Sequence, residues 1–587
     1  MGEFWTRRIR RIAPVLLAVA FATLVAGWFL LLPDAYASLG KSIVALALLA
    51  SNVNFWREVG YFQPAAEVKP LLHTWSLAVE EQFYLFVPLF LILLARIRRS
   101  HWAFSLIAIA TISSFALSEL ATRFYPSASF YLLPSRAWEL FVGAMLAYRT
   151  SITHRPSPTR REVLPLLGLL LILIPCFVYD AKTPFPGHHA IAPVLGTALL
   201  IRCGGPTESC SVVHRLLMLR PIVFIGLISY SLYLWHWPIL AFSRYLLGTI
   251  DDLHRVILVG GSLALATLSW RFIELPFRNR SVFLSQRALI TAAVIAFLTI
   301  SISGALLLHA EGVPTRLSPQ VQLFAATGKI DKGYIHELRA SDVPKSLVRY
   351  GPADAPVRCL VWGDSHAMAI LPAIESICRE RQVAIQAATR SSTPPAIGYV
   401  YNRNFVPTDA FNAAVLKYAT SGEVASVLLV GAWDRYLVDS NFKDAFLKTA
   451  DSLLLAGVAV YVVKDVPRFP FDVPRQLLYY SLTGKDLSRL RLNDAHYESQ
   501  TLQQDAMLVV LENRGVRILD PIPLLRACSG QGSLLPFDAG GSFYRDESHL
   551  STYGALKLKP LFTSAVLSPG QTHKAIGLKR MIEKAGS

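Results

Sequence analysis

The chain has 587 residues, 53% of them hydrophobic and 17% charged, with a formal net charge of +17. This balance excludes an ordinary soluble globular protein and fits a polytopic membrane protein with a second domain attached. The basic clusters lie beside apolar segments, as cytoplasmic loops do, which argues against a nucleic-acid partner. Six cysteines without a CxxC pair or a His/Cys cluster point to neither a disulfide scaffold nor a metal site, although Cys359, Cys378 and Cys528 leave room for one disulfide.

Arg7, Arg8, Arg10 and Arg11 precede an apolar run over 12–32, long enough at about 1.5 Å per residue to span a hydrocarbon core of about 30 Å. Further spans are predicted at 75–95, 102–120, 134–148, 163–180, 189–202, 222–243, 255–273 and 288–308, nine in all. Basic stretches at 96–99, 155–161, 215–220 and 278–287 fall on alternate connections and are assigned to the cytoplasm. The last span then runs outward as a linking helix, and everything beyond about residue 310 is extracytoplasmic. Residues 37–54 are apolar too, yet a full crossing there would invert everything downstream. They read as re-entrant or interfacial, with Lys41, Ser51 and Asn52 marking incomplete burial; the competing reading is that one of the shorter spans is wrong.

The stretch 72–85 runs into an apolar segment while carrying His73, Glu80 and Glu81. A carboxylate near mid-membrane costs roughly 2.5 to 3.5 kcal/mol on insertion scales, so such groups face a bundle interior or a water-filled cavity. His73, Ser76, Glu80 and Tyr84 share one helical face, with Glu81 at its edge. Either these residues line a functional passage or the two carboxylates lock the bundle through partners on neighbouring helices. Ser229, Tyr233 and His236 share a face of a later helix in the same way. Arg136 with Glu139, and Arg271 with Glu274, read as ion pairs that hold the bundle.

After Leu308 the composition changes. Pro314 and Pro319 mark a linker over 311–349, and a soluble domain follows over 350–587. Short apolar runs at 357–362, 383–387, 426–430, 458–463 and 515–519 alternate with helix-like stretches, the pattern of a parallel sheet covered by helices. Ser365 falls just after the first of these strands, where a turn to a helix exposes a side chain and helix N-terminal amides can stabilise an oxyanion. A serine hydroxyl needs a base, and the base needs an orienting carboxylate. Asp546 and His549 supply both, so Ser365, His549 and Asp546 form a candidate triad. His366 reads as a packing or supporting histidine at the helix start.

Gly363-Asp364-Ser365 and Asp546-x-x-His549 together resemble the first and last blocks of the SGNH hydrolase family over about 350–565. The resemblance implies a serine nucleophile in a flavodoxin-like fold acting on esters or acetyl groups of carbohydrates. Two blocks depart from the pattern. Gly431-Ala432-Trp433-Asp434 carries Trp433 where the family has an oxyanion-hole asparagine, and 391–395 lacks the glycine of the second block. The Ser365 amide and Ser392 are left as candidate oxyanion donors.

His73 through Tyr84 is similar to the signature of the acyltransferase 3 family. Arg8-x-x-Arg11 before Pro14, Arg136 to Gly143, Tyr230 to Pro238, and Arg271 to Arg278 agree with it. That resemblance covers about 4–308 and, with the SGNH-like domain, implies a bacterial O-acetyltransferase of O-antigen or a related surface polysaccharide. By that resemblance the membrane domain would take acetyl from cytoplasmic acetyl-CoA and the SGNH domain would complete its transfer to a glycan. Arg8 and Arg11, one turn apart at the cytoplasmic edge, become candidates for CoA phosphates, with a positive-inside topology signal as the alternative. His73, Ser76, Glu80, Glu81, Tyr84, Tyr233 and His236 become candidates for an acyl path or its support. The family begins with two further helices bearing an Arg or Lys and, after ten residues, a histidine. The present sequence starts after them, so it reads as N-terminally shortened; Lys485 and His496 match that spacing by chance.

The expected architecture is therefore a polytopic α-helical membrane domain over 1–310 plus a periplasmic α/β SGNH domain, in a bacterial inner membrane. The expected function is O-acyl transfer from acyl-CoA, with no bound cofactor, to an extracytoplasmic glycan. A membrane-anchored SGNH carbohydrate esterase, or an acyl-donor transporter without its own chemistry, are the alternatives.

Overall fold

A computed structural model describes residues 2–60, 65–95, 100–149, 158–180, 182–203, 211–279, 282, 285–401, 408–529 and 533–567. The chain divides into two compact units, Met1–Val313 and Pro314–Ser587.

Every regular element described in the first unit is a helix. In chain order the unit comprises α1 (Gly2–Leu30), α2 (Pro33–Ala47), α3 (Ser51–Arg57), α4 (Thr74–Ala95), α5 (Ser100–Phe124), α6 (Pro126–Tyr131) and α7 (Leu133–Arg149). There follow α8 (Pro158–Val178), α9 (Ile191–Cys203), α10 (Val212–Leu217), α11 (Arg220–Leu247), α12 (Asp252–Ser269), α13 (Leu275–Arg278) and α14 (Gln286–His309). Five described segments are long and apolar enough to cross a membrane: Gly2–Leu30, Phe104–Phe124, Arg220–Leu247, Asp252–Arg278 and Gln286–His309. Large apolar side chains such as Ile112, Phe177 and Val256 lie exposed on these helices and on α8, as a lipid-facing surface requires. Helices also occupy the segments predicted at 75–95, 134–148, 163–180 and 189–202. The last of these, α9, has only 13 residues, about 20 Å at 1.5 Å per residue, which alone is short of the hydrocarbon core. The basic residues at 96–99, and 155–157 of the stretch 155–161, lie outside the described residues.

Residues 37–54 form two helices rather than one, interrupted at Leu48–Ala50, where Leu49 has φ +54°. Lys41 is exposed, as incomplete burial of this segment requires, and its ammonium meets Glu58 at 2.9 Å while Lys69 meets the other oxygen of Glu58 at 2.8 Å; Ser51 and Asn52, expected to share that exposure, are buried. Backbones approach closely where glycine permits. A Cβ at Gly40 of α2 would lie 2.6 Å from the Gly304 carbonyl of α14, and the converse distance is also 2.6 Å; Gly168 and Gly196 bring α8 and α9 together similarly. Such small-residue contacts suit helices that have no hydrophobic drive to associate in lipid.

Arg136 and Glu139 pair as expected, at 3.1 Å, but Arg271 and Glu274 do not. Trp270–Glu274 is a π-helical turn, which shifts the helical phase. The carboxylate of Glu274 instead takes Arg278 at 3.0 Å and Ser231 at 3.0 Å.

The second unit is an α/β sandwich. Strands β1 (Val348–Tyr350), β2 (Val357–Gly363), β3 (Ala384–Thr389), β4 (Ser426–Val430), β5 (Ala459–Val463) and β6 (Arg517–Leu519) form one sheet in the order β1-β3-β2-β4-β5-β6. From β3 to β6 the sheet is parallel, with the strand order of a flavodoxin-like fold and its switch point at β2. The strands read as continuous apolar runs because both faces are buried. Val361, Ile385, Leu428 and Tyr461 pack on one side, while Leu360, Trp362, Val427, Leu429 and Val462 pack on the other. Sequence reading missed β1, a three-residue antiparallel edge strand in register with 385–387. It also placed a linker where the chain is folded: α15 (Pro319–Thr327) buries Phe324 in the core of the second unit, Tyr334 packs against it, and β1 completes the sheet. Cys359, Cys378 and Cys528 are free thiols, the first two buried, so no disulfide joins them.

Candidate active site

The turn after β2 depends on Gly363, since a Cβ there would lie 1.8 Å from the Val430 carbonyl at the end of β4. Asp364 then caps α16 (Ser365–Arg381), one oxygen accepting from the His366 amide at 2.8 Å. Its other oxygen accepts from the Ala432 amide at 3.1 Å and the Tyr436 hydroxyl at 2.5 Å. Asp364 is thus consumed in fixing the loop, and Ser365 becomes the first residue of a 17-residue helix.

From the other end of the domain, Tyr544 and Leu550 pair across a tight loop, and the Arg545 amide donates to the His549 carbonyl at 3.0 Å. The loop presents Asp546 and His549 on one side. Ser365 Oγ lies 2.7 Å from His549 Nε2, and His549 Nδ1 lies 2.8 Å from Asp546 Oδ2. The carboxylate fixes the Nδ1–H tautomer, leaving Nε2 to accept the serine proton. Asp546 Oδ1 accepts from the amides of Ser548 and His549 at 2.8 and 2.7 Å. Burial opposes its charge, yet His549 and these amides outweigh burial and hold its carboxyl well below the usual carboxylate range. Burial in turn lowers the basicity of His549 against the pull of Asp546, with His366 adding to the decrease. The three predicted residues therefore meet in one hydrogen-bonded chain, Ser365 to His549 to Asp546, the arrangement a serine nucleophile with a base and an orienting carboxylate would need.

Ser392 has φ +51° and follows β3, whose end adjoins β2: Gly363 faces Thr389, and the Arg390 amide donates to the Gly363 carbonyl at 3.1 Å. It belongs to the rim that carries Ser365. Trp433 does not take the place of the family asparagine, because it is fully buried and its Nε1 donates to the Val463 carbonyl at 2.7 Å.

Sequence reasoning missed Asp465, two residues past β5. Its Oδ1 lies 2.8 Å from His366 Nδ1, and the His366 and His549 ring centroids are 4.5 Å apart. Its place at the carboxyl end of a parallel strand was the available signal.

In the first unit the predicted polar residues divide into two groups. His73 lies in the turn before α4; its carbonyl accepts from the Tyr233 hydroxyl at 2.5 Å, and that hydroxyl accepts from Ser76 at 2.5 Å. The His73 ring stands 5.3 Å from that of Tyr233 and 6.0 Å from that of His236, whose Nδ1 donates to the Tyr233 carbonyl at 2.8 Å. The second group is electrostatic. Glu81 is buried 3.8 Å from Arg8, and the Arg8 guanidinium lies 3.1 Å above the Tyr84 ring. Arg8 is thus tied into the bundle, while Arg11 and Glu80 stay exposed. Arg8, Arg11, Ser76, Glu80, Tyr84 and Tyr233 line one cavity of about 660 Å³. Ser229, Tyr233 and His236 line another of about 570 Å³. Ser229 and Tyr233 are common to both. Sequence reasoning also missed Arg10, which is buried and donates to the carbonyls of Phe277 and Val282 at 3.3 and 3.0 Å.

Two family models match the chain: an acyltransferase domain over residues 1–302 and an SGNH domain, described as fused to such acyltransferase domains, over 335–564. Among curated proteins, the peptidoglycan O-acetyltransferase OatA of Listeria monocytogenes is 30% identical over 295 residues, covering 48% of this chain and 46% of that protein. The chain spans about half the length of the curated relatives it matches. Among solved structures, the periplasmic domain of a lipopolysaccharide acetyltransferase of Salmonella ser. Paratyphi A aligns with a TM-score of 0.33 at 15% identity, over 40% of this chain and 92% of that one.

Proposed function

The chain belongs to the acyltransferase 3 family, joined here to an SGNH domain, and on that premise we propose that it is a membrane O-acetyltransferase of an extracytoplasmic glycan. The observation that carries the reading is the hydrogen-bonded chain from Ser365 through His549 to Asp546. In the proposed reaction Ser365 Oγ attacks the acyl carbonyl as its proton passes to His549 Nε2, and the leaving group departs with that proton. A glycan hydroxyl then gives its proton to His549 and attacks the acyl-serine ester, and Ser365 recovers the proton as it leaves. The Ser365 amide, with Ser392, is assigned to the oxyanion.

Acyl-CoA is the proposed donor. The cavity bearing Arg7, Arg8 and Arg11 suits its phosphates, with Arg11 the leading ligand because Arg8 already serves Glu81. The second cavity, reached past Tyr233 and lined by His236, is the proposed continuation of the acyl path, with His73, Ser76, Glu80, Glu81 and Tyr84 supporting it. The bacterial inner membrane is the proposed location, with the SGNH domain outside.

Expression of the full chain, with any upstream coding sequence, is expected to add alkali-labile acetyl esters to the surface glycan. Ser365→Ala is expected to remove them, a loss of about 10⁶-fold in turnover if the serine acts as in other triads. Undiminished acetylation by Ser365→Ala would refute the assignment and favour a transporter; acetyl release to water without any glycan ester would favour an esterase.

A further inference from the structure

His366 is the residue of this site that the triad chemistry does not use. It follows the nucleophile directly, its side chain is buried, and so is that of Asp465, the partner of its Nδ1. Asp465 is itself fixed: its Oδ1 accepts from the Val466 amide at 2.8 Å, and its own amide donates to Gln504 at 3.3 Å. The result is a second His–Asp pair whose ring stands 4.5 Å from that of the triad histidine, tilted by 48°.

Other charged and titratable groups face the pair from the elements packed against it. Asp364 faces His366 from the helix cap but is engaged by two amides and the Tyr436 hydroxyl. Asp434, in the short helix Trp433–Tyr436, faces it at longer range and is paired with Arg468 at 3.2 Å. Tyr497 and Tyr544 approach Asp465 as neutral phenols. On the far side His549 is faced by Asp546 and Arg545.

We infer that His366, held as an imidazolium by Asp465, is a positioning residue that acts through His549, keeping the triad imidazole neutral and able to accept the Ser365 proton in acidic surroundings. Two imidazoliums 4.5 Å apart repel, so the charge on His366 penalises the protonated form of His549. Burial alone would discharge His366, but Asp465 outweighs it and raises its pKa to about 9. Below that value His366 is charged, and the acid limb of Ser365 reactivity should sit below the ordinary histidine value of about 6.5.

The inference rests on the triad assignment but not on the identity of donor or acceptor. Its test is the pH dependence of Ser365 phosphonylation by a fluorophosphonate in the full-length protein. There the serine oxygen–phosphorus bond forms, fluoride leaves, and His549 takes the serine proton. Absence of labelling in the wild type would defeat the triad itself, an outcome separate from the ones below. His366→Gln keeps size and a donor but removes the charge, and is expected to move the acid limb up by about one pH unit or more. Asp465→Asn, which lets His366 lose its proton, should move it the same way, and the double variant should go no further than either single one. If His366→Gln does not fold, Asp465→Asn decides. A limb that stays in place, or a uniform loss of labelling at every pH in folded protein, overturns the inference and leaves His366 a packing residue.

Discussion

Asp546 is held by two backbone amides on Oδ1 and one imidazole on Oδ2, so both of its oxygens are committed. Replacing it with asparagine preserves shape and the contact with His549, but the amide carries no charge to stabilise an imidazolium and lets the ring turn to the other tautomer. Asp546→Asn should therefore lower kcat by about 10⁴-fold with little change in KM, measured on a small activated acetyl ester with the full-length protein in detergent. A fall in affinity at constant kcat would place Asp546 in substrate binding instead. The meeting of Ser365, His549 and Asp546 was legible in the sequence because each half is local: Gly363-Asp364-Ser365 joins the end of a strand to the start of a helix, and Asp546 and His549 share one tight loop. Asp465 was not, since its contact with His366 joins the start of α16 to the end of β5, 99 positions along the chain. Trp433 shows the same limit from the other side, its residue type announcing a lost donor but not the buried carbonyl it serves.

At the level of elements, the two units are built on different rules. The sheet was readable because its strands are continuous apolar runs between turns, and only the short edge β1, polar on one side, escaped. The helices of the first unit were readable as apolar lengths, but their neighbours were not. The phase of the π turn sent Glu274 to Arg278, and the approach of α2 to α14 rests on glycines that carry no hydropathy signal. That approach is testable with one chemical change at two places. Gly304→Ala puts a methyl group 2.6 Å from the Gly40 carbonyl, whereas Gly260→Ala in α12 meets nothing within 4 Å. Overpacking costs about 1–3 kcal/mol, while alanine in place of glycine gains about 0.8–1.0 kcal/mol of helix propensity. Gly304→Ala should lower the thermal unfolding midpoint of the protein in detergent and Gly260→Ala should leave it unchanged or raise it. Equal behaviour of the two would mean that α2 and α14 do not pack through these glycines.

For the whole chain, the proposal requires that the triad face the compartment in which the glycan resides, and the charge around α14 bears on this. Arg278, Arg280 and Arg287 flank its N-terminal end, whereas no Lys or Arg stands between its last residues and Arg316. Because Lys and Arg near a span's end are retained on the cytoplasmic side, α14 should run outward and deliver the second unit to the external face. The free, buried Cys359 and Cys378 are compatible with either side, since neither is bridged or exposed. A reporter joined after Ser587 distinguishes the two orientations. Alkaline phosphatase, which needs an oxidising compartment for its disulfides, should be active there, and a fluorescent protein that matures only in the cytoplasm should stay dark. The reverse pair of results would put Ser365, His549 and Asp546 on the same side as cytoplasmic acyl-CoA. Transfer across the membrane would then have no role, and the two cavities that meet at Tyr233 would need another occupant than an acyl group in transit.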